Sequence, residues 1–227
     1  MRRRKDLVVG WSWVLVVAGL ASCGGGAGPA DPGEPVAPVE VTMELESGTF
    51  RCLVDPGSPA GELFLRLCRD GAWEETTIHR VAPGYLVQGG DPNTRNGDPA
   101  DDGLGGLLAE AAPPAAAGGD AAAEGGVFLV VDPETGRWSS QFFVLLAAEP
   151  PPGDAYRRAG KLTAGRDFLE RISEEIGEEY PELGGYFPRK PLRILRCCAG
   201  PCPDSSREPG AKEPGKPGAE GVPPETQ

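Results

Sequence analysis

The sequence predicts a mostly β fold, an antiparallel barrel or sandwich with helices at its ends. Three observations predict it. Apolar and polar residues alternate in several short segments, two other segments have apolar residues at helical spacing, and turn-forming residues interrupt the chain between them. The 34 glycines and 25 prolines are concentrated in residues 24–38, 98–126 and 199–227, which leaves the stretches between them able to fold.

A hairpin and a helix are the first predicted elements. Alternating apolar residues predict strands over 39–45 and 50–54, joined by a turn at residues 47–48. Pro59 then opens a helix that ends at Gly71. The residues on its apolar face are Leu63, Phe64, Leu67 and Cys68.

Apolar runs predict the remaining elements. Residues 81–87 and 127–131 are typical of central strands, and residues 141–147 predict a fourth strand. A late helix is predicted from apolar residues at helical spacing, and residues 192–195 predict a closing strand. The apolar residues of that helix are Phe168, Leu169, Ile172 and Ile176.

The first 23 residues have the layout of an export signal. Residues 2–5 are basic, residues 7–20 are mostly apolar, and residues 20–23 read LASC. This ending resembles a bacterial lipobox, which implies cleavage before Cys23 and attachment of lipid to its thiol and its new amino group. The alternative is an ordinary signal peptide or a short anchor with a coincidental cysteine. The apolar run is 14 residues long, shorter than the ~20 that a membrane-spanning helix needs.

Residues 24–38 are predicted to be a flexible tether. Gly24 stands where an aspartate favours inner-membrane retention in many Gram-negative bacteria, so by analogy we expect the outer membrane, with the protein facing the periplasm. Removing residues 1–22 takes away four basic residues and one acidic residue, which changes the net charge from −12 to −15. Such an acidic surface argues against nucleic-acid binding. The one histidine, His79, argues against a zinc site built from several imidazoles.

Five cysteines remain beyond Cys23, an odd number that leaves at least one thiol free or paired between chains. Residues 197–202 read CCAGPC and allow a local disulfide, which an oxidising periplasm would permit. Cys52 and Cys68 are expected to be small core residues. The three closely spaced thiols of residues 197–202 have no nearby histidine to complete a four-ligand zinc site, so we expect no metal there.

A family resemblance is carried by residues 78–92, which read IHRVAPGYLVQGGDP. They resemble the cyclophilin signature, aromatic-His-Arg-aliphatic-x-x-Gly-aromatic-aliphatic-x-Gln-Gly-Gly-Asp. Residues 140–144 (SQFFV) resemble that family's Ser-Gln-Phe-Phe-Ile strand, and residues 160–167 contain counterparts of its Gly-Lys-Val and Gly-Met-Asp. The resemblance implies a cyclophilin-like eight-stranded antiparallel β-barrel capped by two helices. We place this domain at residues 39–202, with a mobile insertion at 98–125 and a disordered tail at 203–227.

The resemblance implies catalysis of cis/trans rotation about X–Pro bonds, without a cofactor. Arg80 matches the arginine that donates a hydrogen bond to the prolyl nitrogen, and Gln88 matches a glutamine that binds the substrate backbone. His79 matches a structural residue. The positions that match substrate-binding residues are Tyr85, Leu86, Val131, Asp132, Gln141, Phe143 and Tyr156. The expected partners are proline-containing segments of exported proteins and the membrane through Cys23, and we expect a monomer.

Several departures from the family pattern leave other functions open. Val131 replaces a small alanine on the groove wall, Asp132 replaces an asparagine, and Pro150 to Pro152 replace a pocket wall. The alternative is therefore a catalytically weak or inactive domain that binds proline-containing peptides. A purely structural envelope lipoprotein is a third, minor possibility.

Overall fold

The computed structural model describes residues 36–115, 124–149, 153–180 and 185–202. The predicted signal, the lipidated cysteine, most of the tether, the three prolines at 150–152 and the tail lie outside these residues. The strands of the described residues are β1 (Val39–Leu45), β2 (Gly48–Val54), β3 (Thr77–Ala82), β4 (Leu86–Gly89), β5 (Leu107–Ala111), β6 (Gly126–Val131), β7 (Arg137–Leu145), β8 (Tyr156–Ala164), β9 (Ile176–Tyr180), β10 (Gly185–Pro188) and β11 (Leu192–Ala199). The helices are α1 (Pro59–Arg69) and α2 (Arg166–Glu174), and two short 3-10 turns span Pro92–Arg95 and Pro99–Asp101.

Eight of these strands close a barrel. The order around it is β1, β2, β8, β6, β7, β4, β3 and β11, and β11 pairs with β1 again. Every pair is antiparallel, which confirms the predicted fold and decides between barrel and sandwich. Three strands lie outside the ring: β5 pairs with β7, β10 pairs with β3, and β9 pairs with β10.

The first hairpin and helix form where the sequence predicted them. Alternate side chains are buried in both strands, at positions 41, 43 and 45 of β1 and at 50, 52 and 54 of β2. This is expected for strands that have one face on the core. Ser58 caps α1 by accepting a hydrogen bond from the Gly61 N–H at 3.0 Å, and Pro59 occupies the first turn. All four residues predicted for the apolar face of α1 are buried.

Three aromatic rings pack against one another in the barrel core. The rings of Phe64, Trp73 and Phe142 lie with centroids 4.5 to 6.1 Å apart. The Trp73 indole N–H donates to the Ser140 carbonyl at 2.7 Å, so its one polar group is satisfied inside the core. Full burial of such an aromatic or aliphatic side chain stabilises the fold by about 1.5–3 kcal/mol. The cluster therefore fixes α1 against β7.

The structure differs from the sequence prediction at several elements. Residues 81–87 form parts of two strands, because the chain turns at Pro83 and Gly84, where Gly84 has φ +63° and the Tyr85 N–H donates to the Ala82 carbonyl at 2.9 Å. Helix α2 ends at residue 174, so Ile176 belongs to β9. Strands β5, β8, β9 and β10 were not predicted. Residues 98–115 of the predicted insertion contain a 3-10 turn and β5 where a loop was expected.

Two disulfides join cysteines of the described residues. Cys198 pairs with Cys202, which confirms the local disulfide. Cys68 is buried in the core, as expected, but it also pairs with Cys197, which was not predicted; α1 packs against β11, which brings the two Cα atoms to 5.2 Å across 129 residues of sequence. Cys52 is buried and free, and burial raises the pKa of its thiol to about 12. In the described part of the chain, no helix has the length and apolarity to span a membrane.

Candidate active site

A β-bulge in β3 sets the direction of Arg80. Ile78 pairs with Gly89 of β4 and Arg80 pairs with Gln88, so His79 is an extra residue on the β3 side. A bulge shifts the in–out alternation of a strand by one position. Ile78 and Val81 therefore both lie in the barrel core, while Arg80 lies half-buried on the outer face.

Three polar side chains form a hydrogen-bonded row on that face. The Arg80 Nη1 donates to the Gln88 Oε1 at 2.9 Å, and the Gln88 Nε2 donates to the Gln141 Oε1 at 2.8 Å. The Gln141 Nε2 in turn donates to the carbonyls of Gly103 and Gly105 at 2.8 and 2.9 Å. The structure thus brings together three residues that the sequence had placed in one site, and it adds a backbone segment to them.

A second aromatic cluster lies beside this hydrogen-bonded row, on the neighbouring strands β7, β6 and β8. Phe143 of β7 is the register partner of Gln88, and Phe128 of β6 is the register partner of Phe143. The Phe128 and Phe143 rings stack with centroids 4.9 Å apart, and Tyr156 meets both edge-on at 5.4 and 5.6 Å. Four adjacent strands therefore carry a cation, an amide and two aromatic rings in sequence on one face, where the Phe128 and Phe143 rings are buried. Tyr85 packs against the edge of this cluster.

Burial controls the electrostatics around Arg80. It lowers the pKa of the Arg80 guanidinium, opposed by the negative charge that Tyr85 would carry if ionised, but an arginine still keeps its charge at physiological pH. Burial also lowers the pKa of His79 to about 4, with the nearby Asp91 carboxylate opposing the shift. His79 is therefore neutral near pH 7, whereas its neighbour Arg80 is charged.

A comparison with protein families matches residues 40–199 to the model described as cyclophilin type peptidyl-prolyl cis-trans isomerase/CLD. The chain belongs to this family. The matched residues comprise the whole barrel except the first residue of β1.

Individual relatives agree with this assignment of the cyclophilin family. The chain is 29% identical over 136 residues to peptidyl-prolyl cis-trans isomerase CYP18-1 of Arabidopsis thaliana, a match that covers 58% of this chain and 81% of the relative. It is 49% identical to peptidyl-prolyl cis-trans isomerase CYP57 of the same plant over 47 residues, which span 21% of this chain and only 9% of that protein. A solved cyclophilin-type isomerase of Cryptosporidium parvum has the same fold, with a TM-score of 0.57 and 19% identity over 73% of this chain and 99% of that one.

Some residues predicted for the cyclophilin substrate site are placed differently by the structure. Val131 packs in the barrel core beside Trp138 and does not form an open wall. Asp132 closes the turn before β7, where its carboxylate accepts from the Thr135 N–H at 2.7 Å and hydroxyl at 2.6 Å; the hydroxyl bond, then the N–H bond, lowers its pKa. Leu86 is on the same face of β4 as Gln88 but is only 1% exposed.

Two residues of the site were not found from the sequence. Phe128 is fully buried and supports the site by packing against Phe143 and Tyr156; it was predicted only as part of an apolar strand, and nothing in its spacing distinguishes it from a core residue. Gly185 of β10 lies directly against Arg80, since a Cβ there would be 2.9 Å from the Arg80 Nε and 3.0 Å from the Val81 carbonyl. The hairpin of β9 and β10 thus forms one wall beside the guanidinium. Among the described residues, no three His, Cys, Asp or Glu side chains are grouped as metal ligands.

Proposed function

We propose that this cyclophilin accelerates cis/trans rotation about X–Pro bonds in exported proteins, from a lipid anchor at Cys23 in the cell envelope. The observation that carries the proposal is the position of Arg80. Its guanidinium lies on the outer face at the polar end of a row whose other end is aromatic. This arrangement fits a tertiary amide flanked by an apolar ring.

The chemistry follows from the electronic structure of the amide. Its nitrogen lone pair is delocalised into the carbonyl, which gives a barrier of about 18–20 kcal/mol to rotation. In the twisted state the lone pair is localised on the prolyl nitrogen and accepts a hydrogen bond more strongly. A bond from Arg80 to that nitrogen therefore favours the transition state over the ground state, as catalysis requires.

Magnitudes show that Arg80 does not act alone. A hydrogen bond to a charged group contributes about 1.5–3 kcal/mol, which corresponds to about 10- to 150-fold in rate. The remainder must come from holding the substrate. The half-buried Tyr85 and Tyr156 supply apolar surface for the proline ring and pack against the buried rings of Phe128 and Phe143. Gln88 supplies an amide that both holds Arg80 and can bind the substrate backbone.

The export part of the proposal has separate support. Four of the five cysteines in the described residues form disulfides, and disulfides persist in oxidising compartments. The basic, apolar and small-residue order of residues 2–23 is that of a bacterial lipoprotein signal. Together they favour the periplasmic side of a membrane, and Gly24 favours the outer membrane.

The test is isomerisation of a proline tetrapeptide with a chromogenic leaving group by the full protein in detergent. We expect acceleration by the wild type, a loss of about 10- to 150-fold in Arg80→Ala, and no change in Arg51→Ala, an exposed arginine on β2. Equal rates for Arg80→Ala and wild type would refute the role of Arg80. Cys23→Ser should abolish incorporation of labelled palmitate, and globomycin should block processing of the wild type.

A second candidate is a domain that binds proline-containing peptides without accelerating rotation. The stacking of Phe128 on Phe143, with Tyr156 against both edges, supports it because these rings cover part of one another's faces. This candidate predicts measurable peptide binding together with no acceleration by the wild type.

A further inference from the structure

Asp91 is fully buried directly after β4 and the Gly89-Gly90 pair. Its carboxylate accepts three backbone hydrogen bonds: from the Asn93 N–H at 2.9 Å, the Gly103 N–H at 2.6 Å and the Gly105 N–H at 2.9 Å. Bonds of this kind, to an ionised acceptor, are stronger than those between neutral groups. Asp91 therefore holds segment 103–105 against the end of β4.

The same two glycines are held from their other side by Gln141. Both of their carbonyls accept from the Gln141 Nε2. Segment 103–105 thus lies between a carboxylate that takes its N–H groups and a side-chain amide that donates to its C=O groups. The position of the Gln141 amide depends on where Asp91 holds the segment.

The directions of the hydrogen bonds give this contact a consequence for Arg80. Carbonyls only accept, so the Gln141 nitrogen must face segment 103–105 and its oxygen must face Gln88. The Gln88 nitrogen then donates to that oxygen, which turns the Gln88 oxygen toward Arg80. A guanidinium only donates, so both ends of the chain require the same polarity. Flipping either amide would place two donors or two acceptors face to face.

Gly105 lies so close to Asp91 and Asn93 that there is no room for a side chain at this position. A Cβ at position 105 would collide with the Asp91 Oδ1 and would lie 2.7 Å from the Asn93 Cγ. A side chain there would push the segment away from the carboxylate. Gly97, earlier in the same loop, has open space where its Cβ would be.

We infer that Asp91 is a positioning residue for catalysis: through segment 103–105, Gln141 and Gln88 it fixes the orientation of the Arg80 guanidinium. This inference rests on the proposed function, because it assigns Arg80 as the group that meets the prolyl nitrogen. Misplacing a catalytic group by about 1 Å can reduce a rate by about 100-fold. Asp91 itself does not touch the substrate in this scheme.

The first test compares Asp91→Asn with Asp98→Asn in the full protein. Asp98 is the matched control, since its carboxylate also accepts a backbone N–H of this loop, from Ala100 at 3.0 Å, but has no bond to segment 103–105 in the described contacts. We expect Asp91→Asn to lower kcat about tenfold or more with KM changed less than about twofold, and Asp98→Asn to leave both unchanged. A folded Asp91→Asn protein with wild-type kcat would overturn the inference.

A spectroscopic readout separates this inference from the proposed function. In NMR spectra, the Gln88 and Gln141 side-chain amides and the Arg80 guanidinium should shift in Asp91→Asn and not in Asp98→Asn. A wild type without isomerase activity would refute the proposed function, whereas unshifted Arg80 resonances in Asp91→Asn would refute the inference. If Asp91→Asn does not fold, Gly105→Ala decides by the same kcat and NMR criteria. Gly97→Ala is its control, which carries positive-φ strain without a steric clash.

Discussion

The outer face that carries Arg80 and the seam where β11 closes the barrel are held together by different forces. The face is joined by directional hydrogen bonds between amides and a guanidinium, with an aromatic cluster beside them. The seam is joined by apolar packing and by the Cys68–Cys197 disulfide, which ties β11 to α1. Changes at the seam should therefore lower the stability of the protein and leave the catalytic rate of the folded enzyme unchanged. Changes on the face should lower the catalytic rate and leave the stability nearly unchanged.

The largest expected effect tests the seam. Replacing Cys68 and Cys197 together with alanine removes a cross-link that closes a loop of 129 residues of sequence separation, while Cys198 and Cys202 are only 4 apart. In the chain-entropy account, a long loop contributes about 5 kcal/mol and the short one about 2 kcal/mol. Denaturant unfolding under oxidising conditions should show this order, with kcat of the folded fraction unchanged in both double variants.

A result in which the short-loop double variant loses more stability than the long-loop one would contradict this view of the seam. Equal losses would contradict it as well, because the two cross-links would then act through local packing and not through the length of chain they restrain.

His79 lies next to the site, but because it is buried we expect it to affect the stability of the protein. Its pKa falls from 6.5 to about 4 on folding, through burial. The folded state thus excludes a proton that the unfolded chain binds below pH 6.5, so stability is lost as the pH falls from about 6.5 to about 4. The loss is on the order of 3 kcal/mol.

Asp102 has the opposite effect on the pH dependence of stability, over an overlapping range of pH. Burial, then repulsion from Asp91, Asp101 and Asp98, raises its pKa to about 6, so its contribution to stability is lost as the pH rises toward that value. Urea unfolding at about pH 7.0 and 4.5 should show that His79→Gln loses less stability on acidification than the wild type and that Asp102→Asn loses more. A His79→Gln protein with the wild-type dependence would show that His79 does not titrate in this way.

The site's polar residues were predictable from the sequence because they lie in short motifs with fixed spacing. Arg80 and Gln88 are eight residues apart on one hairpin, and Gln141 and Phe143 lie two apart on one strand. Each pair reaches its place through local geometry. Alternation likewise predicted β1 and β2, and apolar runs predicted β6 and β7, whereas β8, which is as long as β7, was not predicted.

The residues that the sequence did not reveal depend on long-range register or on backbone atoms. Gly185 meets Arg80 because β10 pairs with β3, across more than a hundred residues of chain. The carbonyls of Gly103 and Gly105 have no side chain to mark them, and they reach Gln141 only because the segment folds back over Asp91. Cys68 gave no sign of its partner for the same reason.

On the face, Arg80→Lys sharpens the comparison. A lysine keeps the charge but lacks the planar fork of donors, so it cannot bond Gln88 and the prolyl nitrogen from two fixed directions. We expect kcat/KM to fall about 10- to 100-fold, which corresponds to losing one charge-assisted hydrogen bond. The denaturation midpoint should stay within error of the wild type. Retention of full activity would show that the charge alone suffices.

The smallest effect is expected for Gly185→Ala, which tests whether the wall beside Arg80 belongs to the face. Its Cβ would lie 2.9 Å from the Arg80 Nε and 3.0 Å from the Val81 carbonyl, closer than ordinary contacts allow. The backbone oxygen is held in the barrel, so the guanidinium has to give way. A displacement worth about 1 kcal/mol would reduce kcat/KM about fivefold. Gly57→Ala, in the loop before α1 and 3.2 Å from the Asp55 carboxylate, introduces the same methyl group away from the site and should leave kcat/KM unchanged. If Gly185→Ala loses stability but keeps its rate, the β9–β10 hairpin acts as part of the scaffold, like the seam, and Arg80 is held by its hydrogen bonds alone.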